Sequence, residues 1–463
     1  MENVIMETVI FTTDKKGAEI TPEIVARYIK KHVVNELPRL DKLERYYKGS
    51  HDILDRQKDA GLSNIKVVTN HAAYIADMSS SYLIGEPATY TAPENVNIDA
   101  LKEALKKADA PTQDMDLALN ISVFGRGFEM LYMSDKTPLQ PKLARLSPKN
   151  SFVVYDDTVE QNPVFGVYFF AIYDDNDRQT GYKGQYSTDT YTAEIILDTQ
   201  YQVKSVGEPV PHYFGDVPII EYYNNGERQG DFEQVMWLID AYNLLQSDRM
   251  NDKEQFVDAV LLIKGQVLGD TSQEELETYQ AIKQYGVITL DADSDASFLT
   301  RQFDEAAVDI LRKAIVSDIH KISRVPDMTD ENFASNSSGV AMKYKLLGLE
   351  QLAKIKERYF VEGLQHRLRL FQTILNITGQ GFDVSDIDIK LGRSLPANEL
   401  EEAQTVATLG DNVPVTTKLS YLSAVKDPEA VAKELEDEQA RAAQRQRETV
   451  FNTPLMVNET VNE

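Results

Sequence analysis

Apolar positions in the first sixty residues recur with the period of a helix. Thr21-Pro22-Glu23 places a capping residue before a proline at the first helical position, and Ile24, Val25, Tyr28, Ile29 and Val33 then form one stripe of a helical region over 21–58. Pro38 is expected to interrupt it, with Leu40, Leu43, Tyr46 and Tyr47 continuing the pattern in a second helix. Residues 70–84 and 99–124 carry further helical stretches. From about 127 to 225 the pattern changes to short β-branched and aromatic runs (FEMLYM, FVVYDD, VFGVYFFAIY, YTAEIILD, VPIIEYY) separated by turn-rich segments such as Asp174-Asp175-Asn176-Asp177. These predict a mostly antiparallel sheet, with Gly125-Arg126-Gly127 as the helix-to-strand turn before it.

Helical spacing returns at 231–258, where Phe232, Val235, Met236, Ile239 and Tyr242 mark a broad face on a rod of roughly 40 Å. A mixed segment (259–302) sets strand-like VLLIKG and GVITLDA around a helical SQEELETYQAIKQY, and a second helix at 304–322 carries Val308, Leu311, Ile315, Ile319 and Ile322. The stretch SRVPDMTDENFASNSSG breaks the pattern at 323–339. The longest helix follows, from near Val340 to about Asn376, with Gly348 and Gly363 as candidate bends. Beyond Pro396 come shorter helices (398–409, 416–425, 428–446) and a loose tail. Long helices flanking a small α/β insert do not close one compact core, and a symmetric oligomer is the usual supplier of the missing partners.

Composition narrows the chemistry. The 463-residue chain is long enough to fold without staples, and its 42% hydrophobic content rules out a wholly disordered protein. It contains no cysteine, which excludes disulfides, thiolate metal sites and thiol catalysis. The N-terminal residues lack the basic region of a secretory signal, and no apolar run is long enough to span a membrane. Net charge is −26, from 48 Lys and Arg against 74 Asp and Glu. Strong DNA binders gain affinity by neutralising phosphates, so this chain either carries an ordinary solvated acidic surface or meets DNA without gripping it.

Catalytic motifs are missing. No Gly-Lys dipeptide occurs, so there is no phosphate-cradling loop to run an ATPase. The six histidines show no metal spacing and are read as packing or surface residues. Asp291-Ala292-Asp293-Ser294-Asp295 begins like a calcium loop, but Ala296 and Gln302 stand where Gly and Glu are required. No cofactor and no metal is expected, and the chain is not read as an enzyme.

Three stretches resemble the portal proteins of long-tailed phages that infect Gram-positive bacteria. They are LPRLDKLERYYKGSHDILDR with NHAAYIADMSSSYLIGEPATYTAP, then VPIIEYYNNGERQGDFEQVMWLIDAYNLLQSDRMNDKEQFVDAVLLIKG, then HKISRVPDMTDENFASNSSGVAMKYKLLGLEQ. The resemblance covers roughly residues 20–395. It implies an α+β portal fold, with a wing at 1–230, stem helices at 231–258 and 304–322, a clip at 259–303, a tunnel loop at 323–339, a long wing helix and return at 340–395, a crown at 396–446 and a flexible tail at 447–463. It further implies a ring, typically of twelve copies, at one vertex of the virion, assembled in the host cytoplasm. Double-stranded DNA would pass through it, and the terminase large subunit, a head–tail adaptor and the capsid and scaffold proteins would be its partners, with no membrane involved. A metal-dependent nuclease of the packaging apparatus and a capsid component without a channel are the competing readings.

Charge gives this picture residues. Segment 231–258 has seven acids against Arg249 and Lys253, and Asp240, Asp248, Asp252, Glu254 and Asp258 are expected on an acidic channel wall along which DNA slides. In the tunnel loop Asp327, Met328, Asp330, Glu331, Asn332, Ser335 and Asn336 are expected near DNA, with Phe333 either wedging beside it or anchoring the loop to the wall. The helix from Val340 is net positive, and Lys343, Lys345, Lys354, Lys356 and Arg358 are expected to face a neighbouring subunit's acids.

Overall fold

The computed structural model describes residues 8–15, 19–59, 62–93, 96–134, 140–257, 260–264, 271–285, 294–299, 305–328, 344–377, 379, 383–393, 399–410, 413–422, 424–425 and 428–451. The chain divides into two compact units. The first comprises Met1–Leu40, Asp77–Gly230 and Val325–Glu463, and the second Asp41–Ala76 with Asp231–Arg324. The fold mixes helix and sheet throughout, as the α+β expectation required.

Unit 1 is built on sheets. β1 (Phe11–Thr13), β5 (Ser151–Asp156), β6 (Pro163–Tyr173), β7 (Gln179–Ser187), β8 (Tyr191–Asp198) and β10 (Val210–Pro211) lie in that order, with β9 (Val203–Val206) also paired to β8. All pairings are antiparallel except β1 on β5, which is parallel. α1 (Pro22–Lys31) packs on this sheet through Val25, Tyr28 and Ile29, which join Phe152, Val154, Phe165, Val167 and Ile195 in one buried cluster. β3 (Arg126–Met133) is flanked by β11 (Ile219–Tyr223) and β4 (Pro141–Leu146) in a second, antiparallel sheet. α5 (Ala110–Phe124) and the 31-residue helix α9 (Leu347–Ile377) pack on it, burying Leu117, Ile121, Phe360, Leu364 and Phe371.

Three expectations change. The helical region 21–58 is not broken at Pro38: a π-helical turn, His32–Glu36, carries α1 directly into α2 (Leu37–Tyr47), and its shifted i→i+5 hydrogen bonding just before Pro38 accommodates the missing N–H. The 99–124 stretch is two helices, α4 (Asp99–Lys107) and α5, separated at Asp109, whose φ of 56° no helix accepts. Gly363 is not a bend. α9 runs unbroken past it, and a Cβ there would lie 2.5 Å from the Tyr222 ring, so glycine lets β11 and α9 approach each other.

Gly125 serves as the predicted turn, at φ 80°, and an added Cβ would meet the Arg228 carbonyl oxygen at 1.9 Å. Around that turn unit 1 buries charge. Arg39 donates to Glu36 Oε1 (2.9 Å) and to the carbonyls of Phe124 and Arg228. Arg126 lies 3.3 Å from Glu221, Arg228 donates to the same carboxylate (3.1 Å), and the Tyr155 hydroxyl donates to its other oxygen (2.8 Å). Glu36 Oε2 accepts the Val9 amide and Arg126 donates to the Val9 carbonyl, which places β1. A second buried group joins Arg367 to Glu129 through two hydrogen bonds (2.7 and 2.9 Å) and to Asp114 (2.6 Å).

Two outcomes are expected. His32 is buried against Phe152 with 5.2 Å between ring centroids, and loss of hydration there pushes its pKa down from 6.5 to about 4. The folded state therefore takes up its proton later than the unfolded chain, and stability fully present above pH 6.5 should fall by roughly 1.4 kcal/mol per unit between pH 6.5 and 4. Urea unfolding across that window should show a shallower decline in His32→Phe. Gly363→Leu should lower stability by about 3 kcal/mol or more in thermal unfolding, because overpacking against Tyr222 outweighs the roughly 1 kcal/mol of helix propensity gained.

Candidate functional site

Unit 2 centres on α6 (Met236–Val257), α8 (Glu305–Ser323) and the residues between α2 and α3 (His71–Leu83). The first turns of α6 bury Met236, Ile239 and Tyr242, the face the apolar spacing predicted. Further along, the buried positions turn polar: Asn243, Ser247 and Asn251 stand one helical turn apart and none is more than 1% exposed. Each serves the extended segment 63–69. Asn243 Oδ1 accepts the Thr69 amide (2.9 Å), Ser247 Oγ the Val67 amide (2.9 Å) and Asn251 Oδ1 the Ile65 amide (2.6 Å). A step of four helical residues rises about 6 Å and two extended residues span about 6.7 Å, so the two repeats stay in register for this length. The helix thus acts as a strand partner for a segment with no sheet of its own. Sequence reasoning missed this ladder, although Asn, Ser and Asn at i, i+4 and i+8 were visible.

Asn243 does double duty, since its Nδ2 donates to His51 Nδ1 (2.8 Å) while the other ring nitrogen of His51 meets the Tyr46 carbonyl (2.9 Å). The His51 ring stacks on Tyr46 at 4.6 Å. His51 and His32 are packing residues, in line with the sequence reading.

The acidic stem residues turn out to be largely occupied. Asp240 accepts the Tyr46 hydroxyl (2.6 Å), and burial raises its carboxyl above the usual range. Asp248 is paired with Arg56 (2.7 Å) and Lys58 (3.4 Å), and exposed Glu254 accepts the Ser63 hydroxyl. Asp252 is half-buried, and Asp258 lies outside the described residues. Of the acids expected on a channel wall, Asp248 is offset by the cations Arg56 and Lys58, while Asp240 and Glu254 accept neutral hydroxyls from Tyr46 and Ser63, which add no positive charge. Arg249 and Lys253 both reach Glu305 on α8 (3.7 and 2.8 Å), which holds that carboxyl below its ordinary pKa.

β12 (Val260–Lys264) pairs antiparallel with β13 (Asp295–Leu299), and α7 (Ser272–Tyr285) lies between them in sequence. The expected strand GVITLDA (286–292) lies outside the described residues, and the strand that pairs is DASFL. Of the tunnel-loop residues, Asp327 and Met328 are half-buried at the start of the segment. Asp330, Glu331, Asn332, Phe333, Ser335 and Asn336 lie outside the described residues, as does Lys343.

The basic face of α9 is also corrected. Lys356 is 1% exposed and donates to the buried Ser122 hydroxyl (2.6 Å), so it is part of the unit 1 core and does not face a neighbour. Lys354 is exposed and lies 3.6 Å from Glu350, Arg358 is exposed, and Lys345 is half-buried. Arg367, counted with that positive charge, is the fully buried partner of Glu129.

Unit 2 leaves apolar surface uncovered. On α8 only Ile319 and Ser323 are buried, while Ile310 is 71% and Leu311 51% exposed; on α6 Trp237 is 52% exposed and Met250 46%. Among the described residues no three His, Asp or Glu side chains gather as a metal site, and no helix is long and apolar enough to cross a membrane. These apolar side chains stand among exposed charges such as Lys253, Lys313 and Asp318.

The family model described as phage portal protein, SPP1 Gp6-like, matches residues 26–445, and the chain belongs to that family. It is 25% identical to the portal protein of Bacillus phage SPP1, over 95% of this chain and 91% of that protein. It is 22% identical to the portal protein of Clostridium phage phiCD119, over 84% and 90% of the two chains. A chain in the neck of an empty GTA particle is similar at 12% identity and a TM-score of 0.43, over 83% of this chain and 93% of that one.

Asn243→Leu should leave the Thr69 amide and the Nδ1 atom of His51 without partners and cost about 2–4 kcal/mol in chemical unfolding.

Proposed function

We propose that this chain is the portal subunit of a tailed phage: copies form a ring at one capsid vertex, and double-stranded DNA passes through its centre during packaging and ejection. The observation that carries this reading is the family match over residues 26–445. The exposed apolar side chains Trp237, Met250, Ile310 and Leu311 on α6 and α8 support it, because a ring can bury such groups against the next copy. In this reading the sheets of unit 1 form the wing, α6 and α8 the stem, the β12–α7–β13 insert the clip, 323–339 the tunnel loop, and 396–446 the crown. Twelve copies, the terminase large subunit, a head–tail adaptor and the capsid and scaffold proteins complete the assembly. The role is structural, with no catalysis assigned to this chain.

The stem acts on DNA through restraint. Its surface needs only to offer phosphates no deep well, since each Lys or Arg contact to DNA would be an ion pair to break at every advance. Arg249 and Lys253 spend their charge on Glu305, and Arg56 and Lys58 spend theirs on Asp248. Those pairings offset basic groups beside the two helices, while Lys313 and Lys321 on α8 stay exposed.

Electron micrographs of purified protein should show rings with a central hole, and sedimentation should give a mass near twelve chains; a monomer under all salt conditions overturns the reading. Ile310→Asp should leave the circular dichroism spectrum unchanged and shift the protein to monomers, because a charge there cannot be buried between copies.

A further inference from the structure

The last three helices of the described residues are α10 (Glu399–Leu409), α11 (Val415–Leu419) and α12 (Pro428–Phe451). α12 is about 36 Å long. Its first turn rests on neighbouring residues of unit 1, where Ala432 is buried and Pro428 and Glu429 line a cavity of about 260 Å³. From Lys433 to Arg445 every residue is exposed. A helix with water on all sides gains little from packing within its own chain, so its charges decide what it meets.

Those charges are ordered. Glu434, Glu438, Arg441 and Arg445 stand at i, i+4, i+7 and i+11, one stripe of a helix, with acid in its first half and base in its second. Among the described residues Glu434, Glu438 and Arg441 have no opposite charge within ion-pair distance. Glu434 repels Glu438 one turn away, and Arg441 repels Arg445, so the stripe is a small cost to a lone helix. The helix dipole does not account for the order, because its preference for acid ends with the first turn and Glu434 lies beyond it. Val431, Leu435 and Ala442 flank the same stripe, all three exposed.

Turned end for end, the stripe exchanges acid for base. Two copies of α12 set antiparallel about a two-fold axis midway between Gln439 and Ala440 place Glu434 against Arg445 of the other copy and Glu438 against Arg441, each pair formed twice. Leu435 of one copy then meets Ala442 of the other. We propose that α12 is a self-docking surface that pairs antiparallel with α12 of a second copy through this stripe. Neighbours in a cyclic ring are related by rotation about the ring axis and never by such a two-fold. The contact therefore joins copies from two rings, face to face; this last step rests on the ring proposed above, whereas the helix pair does not. One exposed set of ion pairs is weak and screened by salt, but the sets formed when two rings meet act together as a multivalent contact. Duplex DNA is a poorer occupant, since Asp437 and Glu438 stand within one turn of Arg441 and repel phosphate.

The test uses the full chain, whose lack of cysteine lets single thiols be introduced cleanly. Protein with Leu435→Cys and protein with Ala442→Cys are assembled separately, mixed and oxidised. Disulfide-linked dimers are expected in the mixture and in neither protein alone. Electron micrographs should show stacked double rings at about 50 mM salt and single rings at about 0.5 M. Arg441→Glu with Arg445→Glu should cut the double rings roughly tenfold or more at low salt, as should Glu434→Arg with Glu438→Arg. Mixing rings of these two charge variants should restore the stack, because one stripe is then wholly acidic and the other wholly basic. Double rings that survive either reversal, a mixture that stays single, or thiols that fail to link overturn the proposal. Altered retention of duplex DNA by the charge variants, with ring stacking unaffected, assigns the helix to DNA and also overturns it. If the protein stays monomeric and the mixed thiols still link, the helix contact stands and the ring falls.

Discussion

Unit 1 depends on charge buried where four segments meet. Glu36, Arg39, Arg126, Glu221 and Arg228 converge behind the Gly125 turn, and the largest of these side chains are sealed from water. Desolvating five charges is expensive, and the cluster persists because almost every polar atom finds a partner: carbonyls of Phe124, Arg228 and Val9, the Val9 amide and the Tyr155 hydroxyl. Removing one member would strand the others. The cluster therefore fixes, in a single place, the π-turn after α1, the first residues of β3, the end of β11 and the loop that precedes α6. Arg39 and Arg228 stand within two residues of Leu40 and Gly230, where the sequence segments of unit 1 end.

Unit 2 follows a different economy. Its long helix offers side-chain oxygens in place of a sheet edge, and the backbone of 63–69 accepts the offer at three successive steps. Its polar groups turn inward to that segment, Arg56 and Lys58 offset Asp248, and the Tyr46 hydroxyl hydrogen-bonds Asp240. What remains outward on α6 and α8 mixes apolar Trp237, Met250, Ile310 and Leu311 with charged Lys253, Glu254, Lys313, Asp318 and Lys321. A face of this kind fits a place between copies better than a place against DNA, and membership of the phage portal family gives that geometry its context.

The net charge of −26 acquires a more exact meaning in this light. Excess acid is not concentrated in one electrostatic device on the described stem. Several carboxylates are ligands for tyrosine, serine and arginine groups that build the units.

Periodicity located much of the frame: α6, α8 and most of α9 lie where the 3.6-residue spacing put them, and β3, β5, β6, β8 and β11 lie where the β-branched and aromatic runs stood, whereas β4, β7, β9 and β10 carry no such run and are strands because neighbours pair with them. Those patterns are local, because each depends on which face of one element is apolar. The family resemblance was likewise legible, since it resides in contiguous runs such as the one over 217–265. What tertiary structure decided was the use of polar and charged residues. Nothing local distinguishes Lys356, sealed against Ser122, from Lys354, exposed two residues earlier, until α9 meets α5. Nor could spacing tell that Asp248 would be neutralised by Arg56, 192 residues away in sequence. A charge takes its role from its partner, and partners distant in sequence are brought together only by the fold.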